Sequence, residues 1–105
     1  MKATLTTEAM DGGARTGRVD TPGGSFVTPC FMPVGTRGAV RHLSSTDLAA
    51  LGVEVVLGNT YHLMLRPGAA VVRDLGGLGA FAAWEGLPLT DSGGYQLCSL
   101  QPKDA

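Results

Sequence analysis

Apolar residues in this chain gather into three short runs, each stopped by polar residues and glycine. Cys30-Phe31-Met32-Pro33-Val34 stops at Gly35-Thr36-Arg37-Gly38, and Val53-Glu54-Val55-Val56-Leu57 stops at Gly58-Asn59-Thr60-Tyr61-His62. Leu87-Pro88-Leu89-Thr90 stops at Asp91-Ser92-Gly93-Gly94-Tyr95-Gln96. The first run predicts a buried strand, the second a β-branched strand covered on both faces, and the third a strand whose end carries an acid. Helical signals lie between them. Ser44, Ser45 and Thr46 offer capping oxygens, Asp47 suits a first turn, Leu48 and Leu51 share a face, and Gly52 is a natural stop. Farther on, Pro67 favours a helix start, Ala69, Val72 and Leu75 fall at helical spacing, and Gly76-Gly77 ends the element. The stretch Leu78 to Gly86, with Phe81 and Trp84, reads as a packed loop, and Gln96 to Leu100 as either a short helix or another loop.

Strand ends near residues 34, 57 and 90, with helices between, match the ~30-residue spacing of βαβ units and predict a parallel α/β sheet. In such a sheet the C-terminal strand ends lie on one side. Thr36 and Arg37, Asn59 and Thr60, and Asp91 and Ser92 are therefore expected on a common face, the face where ligands bind in open sheets and barrels. Upstream, Arg15 to Val19, the turn signal Thr21-Pro22-Gly23-Gly24 and Ser25 to Thr28 predict a β-hairpin. Residues 1–13 are expected to be a loose polar leader and 101–105 a polar tail.

Composition narrows the class. A chain of 105 residues, 44% hydrophobic and 16% charged, suits one globular domain, and sixteen glycines, about twice the usual ~7% share, indicate tight loops. A net charge of −1 gives no basic footprint for nucleic acid, so if the protein acts on RNA the basic surface is expected elsewhere. Cys30 and Cys98 are too far apart for a metal knuckle and are expected to be reduced, buried thiols. There is no signal-peptide pattern and no stretch approaching the ~20 apolar residues of a membrane span, so the expectation is a cytoplasmic protein with no membrane partner.

Taken singly, the polar exits have ordinary readings. Asn59 and Thr60 suit a turn closed by side-chain to backbone hydrogen bonds, Asp91 suits a helix cap, Arg37 a solvated charge, and His62 a hydrogen-bonded histidine rather than a metal ligand. The paired glycines 93 and 94 lack the spacing of a phosphate loop. Only their convergence points to chemistry.

Three blocks in order carry more than pattern: Phe31-Met32-Pro33-Val34-Gly35-Thr36, Leu57-Gly58-Asn59-Thr60-Tyr61-His62-Leu63 and Thr90-Asp91-Ser92-Gly93-Gly94-Tyr95-Gln96, with Leu65-Arg66-Pro67-Gly68 between the last two. From about Arg15 to Leu100 the chain closely resembles the N-terminal part of the tRNA-guanine transglycosylases, also called queuine tRNA-ribosyltransferases. The resemblance implies an α/β fold that is part of a TIM-type (β/α) barrel, about its first three parallel strands preceded by the hairpin, with residues 14–100 as that portion. It implies replacement of guanine at the tRNA wobble position by a 7-deazaguanine, through a covalent ribosyl-enzyme. Two aspartates divide the work in the family, and the motif carries base binding and proton transfer onto Asp91. Tyr95 matches the aromatic that stacks on the base. Ser92 and Gln96 belong to the same substrate-binding motif, and Val34, Leu57 and Asn59 match residues lining the ribose side.

Partners implied for the complete enzyme are tRNA, the 7-deazaguanine base and a second subunit, through the segment holding Thr36. No cofactor is expected within this chain, because the family's structural zinc belongs to a later region. A complete barrel takes ~250 residues, so the nucleophilic aspartate is expected elsewhere and the chain is expected to be a truncated form, inactive alone. The alternative is a non-catalytic fragment or subunit that complements another barrel chain.

Overall fold

A computed structural model describes residues 2–99, with side chains through Gln96. The expected tail at 101–105, the end of the resemblance at Leu100 and the thiol of Cys98 lie outside what is described.

The first three strands, β1 (Thr4–Asp11), β2 (Ala14–Thr21) and β3 (Gly24–Thr28), form an antiparallel sheet in chain order. The predicted hairpin is its second half, where Thr21 pairs with Gly24 across the Pro22-Gly23 turn. Its first half replaces the loose leader expected over residues 1–13. Thr4 through Asp11 pair with Asp20 through Ala14, with one irregularity at Glu8. Every residue of β1 is exposed, so the apolar alternation that marks a half-buried strand is absent, and pairing with β2 holds it instead.

The second sheet is parallel, ordered β4 (Val34–Gly35), β5 (Val55–Gly58), β6 (Leu87–Thr90). Between β4 and β5 lies α1 (Ser45–Ala50). Between β5 and β6 lie α2 (Thr60–Leu65), α3 (Ala69–Asp74) and α4 (Leu78–Phe81), and α5 (Gly94–Ser99) follows β6. Helix α1 opens with a complete capping box: Asp47 N–H donates to Ser44 Oγ and Ser44 N–H to Asp47 Oδ2. Those bonds hold the fully exposed Asp47 carboxyl below its ordinary range, the Ser44 backbone N–H being the larger cause and its hydroxyl the second. Gly52, at φ 80°, follows the C-cap Leu51 as predicted.

One face of the parallel sheet meets the helices. Val56 packs with Leu48 of α1 and with Trp84, whose indole N–H donates to Leu87 O at 3.2 Å. The segment read as a packed loop is thus a short helix followed by a core tryptophan. A β-carbon on Gly86 would fall 2.4 Å from Trp84 Cζ2 and 2.8 Å from Glu54 O, so the close approach of indole and strand requires glycine here. On the opposite face, Val55 is 1% exposed. The hairpin comes against the same end of the sheet: β-carbons on Gly23 and Gly24 would each lie 3.4 Å from Leu87 Cδ2, and Val27 N–H donates to Glu54 Oε2 at 3.0 Å. The antiparallel sheet therefore covers the N-terminal end of β5 and β6 and leaves their C-terminal end open.

The first apolar run departs from expectation. Only Val34 and Gly35 pair, Phe31 is 82% exposed and Cys30 is exposed, so neither a five-residue buried strand nor a buried thiol at position 30 is formed. Pro29 and Pro33 lack the N–H that a ladder needs, and Pro33 contributes only its carbonyl, accepting from Leu57 N–H at 2.9 Å.

Candidate functional site

The register of the parallel sheet sets Val34 beside Leu57 and Leu57 beside Leu89, then Gly35 beside Gly58 and Gly58 beside Thr90. Side chains alternate along a strand, so Val34, Leu57 and Leu89 form one apolar row directed away from α1 and α4. Val34 is 49% and Leu89 45% exposed, and Leu57 is half-buried. Immediately beyond this row each strand ends in its polar exit.

The exits of β5 and β6 are bonded to each other. Thr60 N–H donates to Asp91 Oδ1 at 3.0 Å, and the Thr60 hydroxyl donates to the Asp91 carbonyl at 2.5 Å. Asp91 N–H continues the ladder to Gly58 O at 3.4 Å. Asp91 is half-buried and accepts from a residue on the neighbouring strand's exit, which displaces the reading of it as a local helix cap. Beyond it, the Ser92 hydroxyl accepts from Gly94 N–H at 3.2 Å, and Gly93 is buried at φ 69°, where a β-carbon would lie 3.4 Å from Tyr61 N and Cβ. The loop after β6 thus folds onto the first turn of α2.

Asn59 caps that turn, its Oδ1 accepting from His62 N–H at 3.1 Å. The turn-closing reading therefore holds for Asn59 and not for Thr60. What it omitted is that Thr60 closes onto another strand. Sequence reasoning also missed α2 itself, for which Asn59 as N-cap was the available signal. His62 packs edge-on against the Tyr61 ring with centroids 5.6 Å apart. Tyr95 stands on α5, 79% exposed, with Gln96 half-buried beside it, and Arg37 is exposed beyond β4.

The structure accordingly brings Val34 to Leu57 and Thr60 to Asp91, with Asn59 next to Thr60 in the chain, while Ser92, Tyr95 and Gln96 follow in the same loop and helix. Thr36 and Arg37 continue from β4 and make no side-chain hydrogen bond to this group among the described residues. An acid held at one oxygen, an amide with free N–H groups, an exposed aromatic ring and an apolar row can bind a flat heterocycle and exchange a proton with it. Among the described residues, no three His, Cys, Asp or Glu side chains gather to hold a metal ion. No helix there is long and apolar enough to cross a membrane.

Comparison with known proteins shows the family. The family model described as Queuine tRNA-ribosyltransferase matches residues 11–105. The chain belongs to the queuine tRNA-ribosyltransferase family. It is 59% identical over 93 residues to the queuine tRNA-ribosyltransferase of Thermus thermophilus, an alignment covering 89% of this chain and 24% of that protein. The Sorangium cellulosum protein of the same name is 58% identical over 92 residues, covering 88% of this chain and 23% of its own length. That of Xanthomonas euvesicatoria is 55% identical over 93 residues, covering 89% and 24%. The chain thus spans about a quarter of the relatives it matches.

Proposed function

We propose that this chain supplies the first part of a TIM-type barrel that exchanges guanine at the tRNA wobble position for queuine or a related 7-deazaguanine. Family membership over residues 11–105 carries the reading. The joined exits of β5 and β6, which put Asp91 at the open end of a parallel sheet, support it. Asp91 binds the base and moves a proton to or from it, Tyr95 stacks on the ring, and Ser92 and Gln96 complete the base-side motif. Val34, Leu57 and Asn59 line the ribose side.

Exchange at a ribose carbon needs two acids with separate tasks. One attacks the anomeric carbon and becomes esterified to the ribose as the purine departs, and the other serves the proton balance of the leaving base, as in retaining glycosidases. Asp91 takes the second task, and the nucleophile belongs to later strands of the barrel. The structural zinc implied by the resemblance finds no ligand set among the described residues, and no step is assigned to it. A tRNA substrate supports a cytoplasmic location.

A second reading, that the chain complements another polypeptide carrying the remaining strands, has support in its open surfaces. Among the described residues β4 and β6 each pair on one side only, and a groove of about 880 Å³ beside Thr90 is lined by Leu63, Met64, Val72 and Leu78. Incorporation of labelled guanine or queuine into tRNA tests both. The 105-residue chain alone is expected to give none, and co-expression with the remaining three quarters of a relative is expected to restore exchange that Asp91→Ala abolishes. Turnover by the chain alone would refute the requirement for later strands, and full activity of Asp91→Ala would refute the role of Asp91.

A further inference from the structure

We propose that Thr60 is a positioning residue for Asp91, an assignment that rests on the base-exchange reading. Its hydroxyl pins the main chain at the acid, and its amide holds one carboxylate oxygen, so the second oxygen is the one open to a ligand. Among the described residues that second oxygen makes no hydrogen bond.

Thr60 is suited to this by its place. As the first residue of α2 its N–H has no intrahelical acceptor, and Asn59 Oδ1 is already taken by His62 N–H. An acceptor must come from outside the helix, and Asp91 provides it. Being β-branched, Thr60 has few side-chain rotamers, so its hydroxyl is held toward β6 at little further cost in entropy. The bonds also fall where they matter, because the ladder at this point is long: Asp91 N–H reaches Gly58 O at 3.4 Å, against 3.0 Å for Leu87 N–H to Glu54 O at the other end of β6. The backbone pairing alone holds the acid loosely. Two bonds from Thr60 and the packing of Gly93 on Tyr61 supply the remaining constraint.

Four ¹⁵N-labelled samples of the 105-residue chain test this: wild type, Thr60→Val, Thr60→Ser and Asp91→Asn. In wild type the Thr60 amide is expected to be protected from hydrogen exchange. That protection should fall in Asp91→Asn, whose neutral amide oxygen is the weaker acceptor. In Thr60→Val, which keeps the shape but not the donor, exchange at the Asp91 amide should rise about tenfold, the order of one net hydrogen bond. Thr60→Ser should restore it, while the capping-box amides of α1 stay unchanged in all four. A wild-type Thr60 amide that exchanges at the free-chain rate, an unaltered Asp91 amide in Thr60→Val, or failure of serine to rescue would each overturn the assignment. In the enzyme reconstituted by co-expression, Thr60→Val should lower the kcat of base exchange about tenfold with the KM for tRNA unchanged. A reconstituted wild type without activity would count against the functional reading and leave the spectroscopic result standing.

Discussion

Replacing Asn59 separates two jobs that one side chain holds at once. Its Oδ1 takes the His62 N–H at 3.1 Å as the N-cap of α2, a helix of only six residues. A helix that short depends on its cap, and loss of an asparagine cap to alanine costs about 1 kcal/mol, within a range of roughly 0.5–2. In a chain of this size that lowers Tm by about 4–8 °C. Aspartate ranks level with asparagine as a cap, so Asn59→Asp should melt within about 2 °C of wild type while Asn59→Ala shows the full drop. The oxygen already accepts from the helix, and donation to a ribose oxygen can come only from the Nδ2 hydrogens, which aspartate lacks. Asn59→Asp should therefore keep the fold and weaken base exchange in the reconstituted enzyme. Circular dichroism melts and labelled-base incorporation read the two effects separately. Equal melting of Asn59→Ala and wild type would refute the cap, and full activity of Asn59→Asp would refute the donor.

Gly86→Ala is expected to destabilise by about 1–3 kcal/mol, read as a lower urea midpoint, because its β-carbon would fall 2.4 Å from the indole of Trp84. The Asp47 carboxyl is held below its ordinary range in the folded state, so its stabilising contribution is present above the unfolded value of ~3.9 and is lost as pH falls through the lower folded value. Asp47→Asn should flatten that acid limb of stability against pH, and an unchanged slope would contradict the capping box. Tyr95→Ala should leave Tm within about 2 °C of wild type, since the ring is 79% exposed, yet weaken base binding in the reconstituted enzyme; a large stability loss would place the ring in the core instead.

The parallel sheet was legible because each apolar run stops at a polar, glycine-containing exit, and Ser44, Ser45 and Thr46 with Asp47 marked the start of α1, which Ser44 caps. The common face followed from strand direction alone, without knowledge of a single contact. Other parts left no such trace. Strand β1 is exposed at every position, so nothing in its polarity distinguishes it from a leader. Helix α4 has four residues and two glycine neighbours, too little for a period to develop. Phe31 misled in the opposite sense: an apolar run signals that something covers it, and no described residue does so to any depth. The bond from Thr60 to Asp91 joins residues 31 apart, and one-dimensional patterns name both partners without pairing them.

Pro88 lies in β6 at a point where the ladder alternation matters. Leu87 and Asp91 direct their N–H groups to β5, so the intervening Pro88 and Thr90 present theirs outward, and proline has none to present. The outer edge of β6 is consequently a keyed socket rather than a uniform template. A neighbouring strand that demands a donor opposite Pro88 meets a gap, whereas one that donates there finds a carbonyl waiting. A short parallel edge with a missing donor discourages promiscuous pairing with copies of itself and favours the one neighbour whose register fits.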